Sequence, residues 1–381
     1  MQFRDVIGHA ALKRMLVRAA DEGRVSHAQL FTGEAGCGAL PLALAYAQYV
    51  NCTDRRDGDS CGMCPSCRKM AELVHPDLNF VFPVNSPKGK GGSEKPLSDY
   101  FIAPWRELVL KTGGYFDERR WYEAINIDNQ QGIITRAEAD EIIRKLSFKS
   151  FEAEYKVMVI WLPEKMRTEA ANTLLKILEE PWEKTLFLMV SESPARLLST
   201  IVSRTQEVAV PRIGLPDLES HLIRKYGMEP GQASTIARLS GGNVLEAARL
   251  AEGGRDGASE ENFDLFVQLM RLSYNDRHME LLEWAETVAA LGREEQKRFL
   301  QNSVRLLRNS YMLHAGMGEI AYLWGDELAF CKKFAPFIGN HNIEALVREM
   351  ELASAQIAQN GNPKLIFAHF ALVVSKLIVR L

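Results

Sequence analysis

The clearest chemistry in this 381-residue chain belongs to four cysteines, Cys52, Cys61, Cys64 and Cys67, spaced C-x8-C-x2-C-x2-C. Each C-x2-C unit presents two thiolates from one turn, and Cys52 reaches across to complete the set. Four soft sulfur ligands suit tetrahedral zinc and leave no open coordination position, so the expected metal is structural rather than catalytic. An iron–sulfur cluster is the competing use of such a set. Four unligated surface thiols would be an oxidation liability, and in a reducing compartment the grouping points to metal rather than to disulfides. Cys37 and Cys331 stand alone and read as buried small apolar residues.

A second segment has the frame of a reactive site without its reactive groups. Gly33-Glu34-Ala35-Gly36-Cys37-Gly38-Ala39-Leu40 lies between a β-rich run and a helical one, where a phosphate-binding loop reads G-x-x-x-x-G-K-[ST]. In such a loop glycine backbone amides wrap the phosphates, the lysine neutralises their charge and the hydroxyl holds magnesium. Here Gly33, Gly36 and Gly38 are present, but Ala39 replaces the lysine and Leu40 the hydroxyl residue. Taken alone, the segment also fits a plain glycine turn in an unrelated α/β protein. The acidic pair that should end a neighbouring strand is missing too. After Val157-Met158-Val159-Ile160 come Trp161, Leu162 and Pro163, with Glu164 displaced by at least two positions. Both losses predict no productive binding of ATP and magnesium, and no hydrolysis.

The elements that must carry these residues follow from apolar patterning. Strands are expected at Ala28–Thr32, Leu78–Val84, Lys156–Trp161, Thr185–Val190 and Gln206–Val210, alternating with helices at Leu40–Val50, Arg136–Leu146 and Glu169–Glu179. That alternation is the pattern of a parallel α/β sheet. The stretch Asn85–Asp99, with Pro87, Lys88, Lys90, Pro96 and three glycines, reads as a solvated loop. Phe101–Tyr122 carries Trp105, Tyr115, Phe116, Trp121 and Tyr122, so it is expected to pack against the domain, and Ile125–Ile127 to resume the α/β rhythm. Three short helices follow at Leu215–Lys225, Pro230–Leu239 and Val244–Ala251, then a glycine-bearing linker at 252–260 and helical periodicity to Leu381.

Hydrophobic residues at 46% and charged residues at 25% exclude a disordered or coiled-coil chain. Lys plus Arg is 46 and Asp plus Glu is 49, a formal charge of −3, so any DNA contact must come from a local patch or an assembly. No apolar run approaches the roughly 18 residues of a membrane span. Arg4, Asp5 and His9 break the order of a signal peptide, and a cytosolic setting is expected.

Further segments accompany these features: Phe3-x-Asp5-Val6-Ile7-Gly8-His9, Ser26-His27-Ala28-x-Leu30-Phe31-x-Gly33, Asn172-Thr173-Leu174-Leu175-Lys176-Ile177-Leu178-Glu179-Glu180-Pro181 and Ile201-Val202-Ser203-Arg204-Thr205. With the cysteine spacing they resemble the bacterial clamp-loader family of AAA+ proteins over residues 3–211. The resemblance implies an α/β plus all-α chain. A RecA-like AAA+ P-loop domain would span 1–211, with the zinc module at 52–67 and an insertion at about 85–121. A helical lid would span 212–255 and an all-helical collar 256–381. It also implies a non-hydrolysing subunit, a rigid stator that is a monomer alone and joins delta and gamma/tau subunits in a five-membered ring. That ring uses ATP to load the sliding clamp on primed DNA.

Ser203-Arg204 matches the first two residues of the family's Ser-Arg-Cys motif, with Thr205 in place of the Cys. This implies that Arg204 serves as an arginine finger toward ATP held by a neighbour; the alternative is an ion-paired surface arginine. Leu245, in Gly241-Gly242-Asn243-Val244-Leu245-Glu246, stands where ATPase members carry a nucleotide-sensing arginine. The insertion has no family counterpart. Two other functions compete: an active gamma/tau-like ATPase, opposed by Ala39 and the missing acidic pair, and a zinc-dependent DNA-binding module, opposed by the net charge of −3.

Overall fold

The computed structural model describes residues 1–86, 96–127, 130–251, 257–318, 323 and 325–378. Its chain forms two compact units, Met1–Ala251 and Glu252–Leu381. The first is built on five parallel strands, β1 (Ala28–Thr32), β2 (Leu78–Val81), β3 (Lys156–Trp161), β4 (Thr185–Ser191) and β5 (Gln206–Ala209), in the order β2-β3-β4-β1-β5. The central strands are apolar on both sides because both faces are covered. Val157, Val159 and Trp161 enter one core cluster, while Met158 and Ile160 enter the other.

The first face is covered by α1 (Ala10–Asp21), α2 (Ala39–Val50) and α3 (Pro65–Ala71), with α4 (Ile102–Thr112) and α5 (Glu118–Ala124) supplied by the insertion. Every residue of α2 is buried, as an apolar helix without a polar stripe must be. The second face takes α6 (Arg136–Ser147), α7 (Thr168–Glu179) and α8 (Ser199–Val202). The α/β class and the strand positions read from the patterning are found, with single-residue shifts at the ends of β4 and β5 and two larger differences. β2 stops at Val81, because Pro83 has no N–H and the Phe82 N–H is taken by Ser98 Oγ at 3.2 Å. Ile125–Ile127 forms no strand: Asn126 takes φ 59° to close α5, and the Ile127 N–H returns to the Tyr122 carbonyl at 2.9 Å. The extended residues there are Ile133 and Ile134, bridged to Val84 and Met166. Lys88 and Lys90, like positions 252–256 of the expected linker, lie outside the described residues.

Helices α9 (Leu215–Tyr226), α10 (Pro230–Leu239) and α11 (Val244–Ala251) have their own apolar cluster, joined by Ile7. The second unit contains α12 (Gly257–Tyr274), α13 (His278–Ala289), α14 (Arg293–His314), α15 (Gly325–Phe334), α16 (Ile343–Ala358) and α17 (Pro363–Leu377). They close around Phe266, Trp284, Phe299, Phe367 and Phe370. Polar side chains tie off its helix ends: buried Gln296 donates to the carbonyls of Val288, Ala289 and Leu291 at the end of α13. No helix among the described residues is long and apolar enough to cross a membrane.

Candidate functional site

The glycine-rich loop runs from the end of β1 into α2, as its spacing requires. Gly38 caps α2 with φ 97°, a backbone state open to glycine without strain. Three consecutive loop carbonyls are then held by two separate segments. Asn243 Nδ2 donates to the Ala35 carbonyl at 2.7 Å, and the Val244 N–H donates to Gly36 at 3.1 Å. His9 Nε2 lies 2.6 Å from the Cys37 carbonyl. A carbonyl only accepts, so Nε2 carries the proton; burial lowers the His9 pKa and keeps the ring neutral. Gly36 must be glycine, since a Cβ there would fall 2.3 Å from Asn243 Oδ1 and 3.1 Å from Leu245 Cγ. Asn243 Oδ1 also accepts from the Leu245 and Glu246 N–H groups, capping α11. Leu245 thus presses apolar surface on the loop. An exposed pair, Arg212 with Glu34, adds a weak tie at 2.7 Å.

The space beside the loop is filled. Its walls include Gly33, Gly38, Ala39, Leu40, Tyr115 and Trp161, and the cavity they leave has a volume of about 20 Å³. That is room for about one water molecule, far short of a triphosphate. Trp161, in the place of the missing acidic pair, is buried with its ring centroid 5.3 Å from Trp105 and 5.2 Å from Phe116. Ala39 and Leu40 are buried as well. Glu164 Oε1 accepts from the Glu192 and Ser193 N–H groups at 2.9 and 3.0 Å, tying the turn after β3 to the loop after β4. Two acidic residues line the cavity, Glu34, which pairs with Arg212, and Glu192. Burial, followed by the nearby carboxylates of Glu164, Glu118 and Asp117, pushes Glu192 up to about 8, so it is mostly neutral at pH 7. The sequence reading passed over Glu192. Its signal was positional, a charged residue just past the carboxyl end of an apolar parallel strand, where open α/β sheets place ligands.

The cysteines converge as their spacing predicts. The four Sγ atoms of Cys52, Cys61, Cys64 and Cys67 all lie within 4.8 Å of one another, and Cys61 and Cys67 are 3.9 Å apart. Bonds of about 2.3 Å to a central zinc would set sulfurs roughly 3.8 Å apart, so the donor set fits. Backbone N–H groups also point at the sulfurs: Cys61 to Cys52 at 3.2 Å, Cys64 to Cys61 at 3.3 Å and Cys67 to Cys64 at 3.4 Å. Burial opposes ionisation of Cys64, but hydrogen bonds from the Cys67 amide and from Thr53 outweigh it and bring that thiol to about 6. The same loop pins the start of the chain, where Asp59 accepts from the Phe3 and Arg4 N–H groups at 2.9 and 3.0 Å. Cys37 and Cys331 are buried thiols, both pushed up to about 11 by burial.

Arg204 sits just before β5, half-buried and ion-paired with Glu179 at the end of α7. Its Nε is 2.7 Å from Glu179 Oε1, and NH1 donates to the Thr200 carbonyl at 2.9 Å and to Ser203 Oγ at 3.2 Å. Gln206 pairs with Gln29, which puts Arg204 level with the start of β1. The glycine loop is at the other end of that strand, roughly 20 Å away at about 3.3 Å per residue. Arg204 therefore has no reach to the cleft of its own subunit.

Residues 8–213 match the family model described as DNA polymerase III, delta subunit. The chain is 29% identical over 238 residues to DNA polymerase III subunit delta' of Bacillus subtilis, covering 62% of this chain and 57% of that protein. It is 28% identical over 360 residues to the Yersinia pestis protein of the same name, covering 89% and 92%. A solved gamma subunit-related protein from Thermotoga maritima shares 15% identity with a TM-score of 0.38, over 97% of this chain and all of that one; a likeness at that level carries no argument.

Proposed function

The chain belongs to the DNA polymerase III delta' family, and from that premise we propose that it is the non-hydrolysing stator of a clamp loader. It spans just over half the length of the Bacillus relative, so its activity and partners are part of the proposal. In this reading it joins delta and gamma/tau subunits in a hetero-pentamer in the cytoplasm, and the ring loads the sliding clamp on primed DNA. The three-part division at 1–211, 212–255 and 256–381 belongs to the same proposal.

The observation that carries the reading is the filled cleft. Productive ATP chemistry needs a cation on the phosphates and an oxygen ligand for magnesium. Ala39, Leu40, Trp161 and Leu245 stand where those groups would be, and the cavity left has room for about one water. With no reaction of its own to run, the subunit acts through the surfaces it offers to neighbours. Arg204 is one of them. A planar guanidinium held by one carboxylate can exchange that anion for the γ-phosphoryl of ATP bound next door, stabilising charge there without a nucleotide of its own. Cys52, Cys61, Cys64 and Cys67 would hold a structural zinc, which when bound supplies four bonds that order the loop under the N-terminus and no open position for chemistry.

The test is ATP turnover. The purified chain should show none, and Arg204→Ala should leave folding and ring assembly intact while slowing the ATPase of the reconstituted loader severalfold. Magnesium-dependent hydrolysis by this chain alone would refute the stator, and unchanged turnover by the variant complex would refute the finger.

A further inference from the structure

We infer that the insertion between β2 and β3 is a built-in plug of the nucleotide cleft, and that Tyr115 is its closing residue. The inference rests on the stator reading but goes beyond it. Loss of the charged groups removes the attraction for phosphate; the insertion adds a separate, steric bar that would exclude nucleotide even if those groups were restored.

Three observations carry this. The Tyr115 ring lies over the glycine that caps α2: a Cβ at Gly38 would be 3.2 Å from Tyr115 Oη and 3.3 Å from Cε1. Its hydroxyl accepts the Ile7 N–H at 3.0 Å, and its ring packs on the apolar cluster of α9–α11. One side chain thus joins the loop, the N-terminal segment and the lid helices. Next to it Phe116 and Trp105 close on Trp161, and Trp105 stacks on Phe82 at 4.3 Å and meets Trp121 edge-on at 5.3 Å. Phosphates entering between loop and lid would have to displace Tyr115 from Gly38, and a metal beside β3 would have to open this aromatic stack. Residues 105–121 of the insertion are therefore a fixed internal occupant of the cleft, a role that a solvated loop elaboration would not have.

The inference is tested in the full-length protein by titrating magnesium and a fluorescent ribose-labelled ATP, read by anisotropy. Ala39→Lys with Leu40→Thr restores the loop's charged and hydroxyl groups, and this double variant should still bind no nucleotide at millimolar concentration. Adding Tyr115→Ala should tighten binding by at least about tenfold. A double variant that binds as tightly as the triple one, or a folded triple variant that binds no better, overturns the plug. Backbone hydrogen exchange of residues 33–41 gives a second readout that needs no restored site. Tyr115→Ala alone should speed it, Tyr115→Phe should not, and equal exchange in all three proteins overturns the role of the ring. Binding or hydrolysis by the unaltered chain is a different failure, since it would refute the stator reading itself.

Discussion

One helix joins the two sites. α2 begins at the glycine loop and ends just before Cys52, about 18 Å away at 1.5 Å per residue. At its C-terminal end the reactive groups are kept: four sulfurs converge with backbone amides aimed at them. At its N-terminal end they are gone, and apolar side chains with a tyrosine have taken their space. A buried helix N-terminus with free N–H groups favours an anion. In this protein the loop carbonyls are held instead, by Asn243, Val244 and His9, and the remaining volume is packed. The contrast shows that a glycine loop can keep its architecture without a lysine or hydroxyl beside it, provided that apolar side chains pack the space. An open, uncharged cleft would leave a cavity, and cavities cost stability.

Removing the proposed metal from the cysteine end should have the largest effect. Structural zinc contributes its binding energy to folding, so Cys64→Ala, or a strong chelator, should lower stability by several kcal/mol, at least ~3. Thermal unfolding with and without added zinc, alongside metal analysis giving about one zinc per chain, checks this. A metal-free native protein with unchanged melting would break the contrast from that side.

At the filled end, Trp161→Asp puts a carboxylate back beside β3, and a true nucleotide site would tolerate it. Here it should cost about 3–5 kcal/mol or more through lost aromatic packing and an unpaired buried charge. Trp161→Phe should cost about 1–3 kcal/mol, for volume alone. Urea unfolding distinguishes the two; an aspartate variant as stable as the phenylalanine variant would mean that the cleft is still polar.

The last effect, seen only as pH changes, concerns Glu192. Its folded pKa of about 8 lies above the ordinary carboxylate value of about 4.3. The folded state therefore binds a proton that the unfolded state has released across that interval, and stability from this group is lost as pH rises from about 4.5 through 8. Glu192→Gln should flatten that part of the stability–pH curve and raise stability above pH 8 relative to the parent. Parallel curves for the two proteins would place the residue in water rather than in the filled cleft.

Much of this was legible in local patterns. The runs Ala28–Thr32 and Lys156–Trp161 became β1 and β3 with unchanged ends, because parallel strands covered on both faces are continuous apolar segments. The cysteine spacing placed its sulfurs together because the sequence separations are short. The insertion's aromatic residues signalled packing, but no periodicity tells which surface they cover. Ile125–Ile127 misled because two β-branched residues around an asparagine look extended, whereas Asn126 in a left-handed conformation ends a helix there.

What the amino-acid sequence determined on its own is the inventory: which strands exist, which four sulfurs meet, and that Ala39 and Leu40 can hold neither charge nor metal. Tertiary structure alone decided which side chains lie against the glycine loop, that Asn243 spans 208 positions to hold the Ala35 carbonyl, that Glu179 holds Arg204, and that Glu164 accepts from the loop after β4. The physical reason is range. Strand pattern and C-x2-C spacing are set by neighbours a few residues apart, whereas these contacts join distant segments through single side chains that leave no repeat in the sequence.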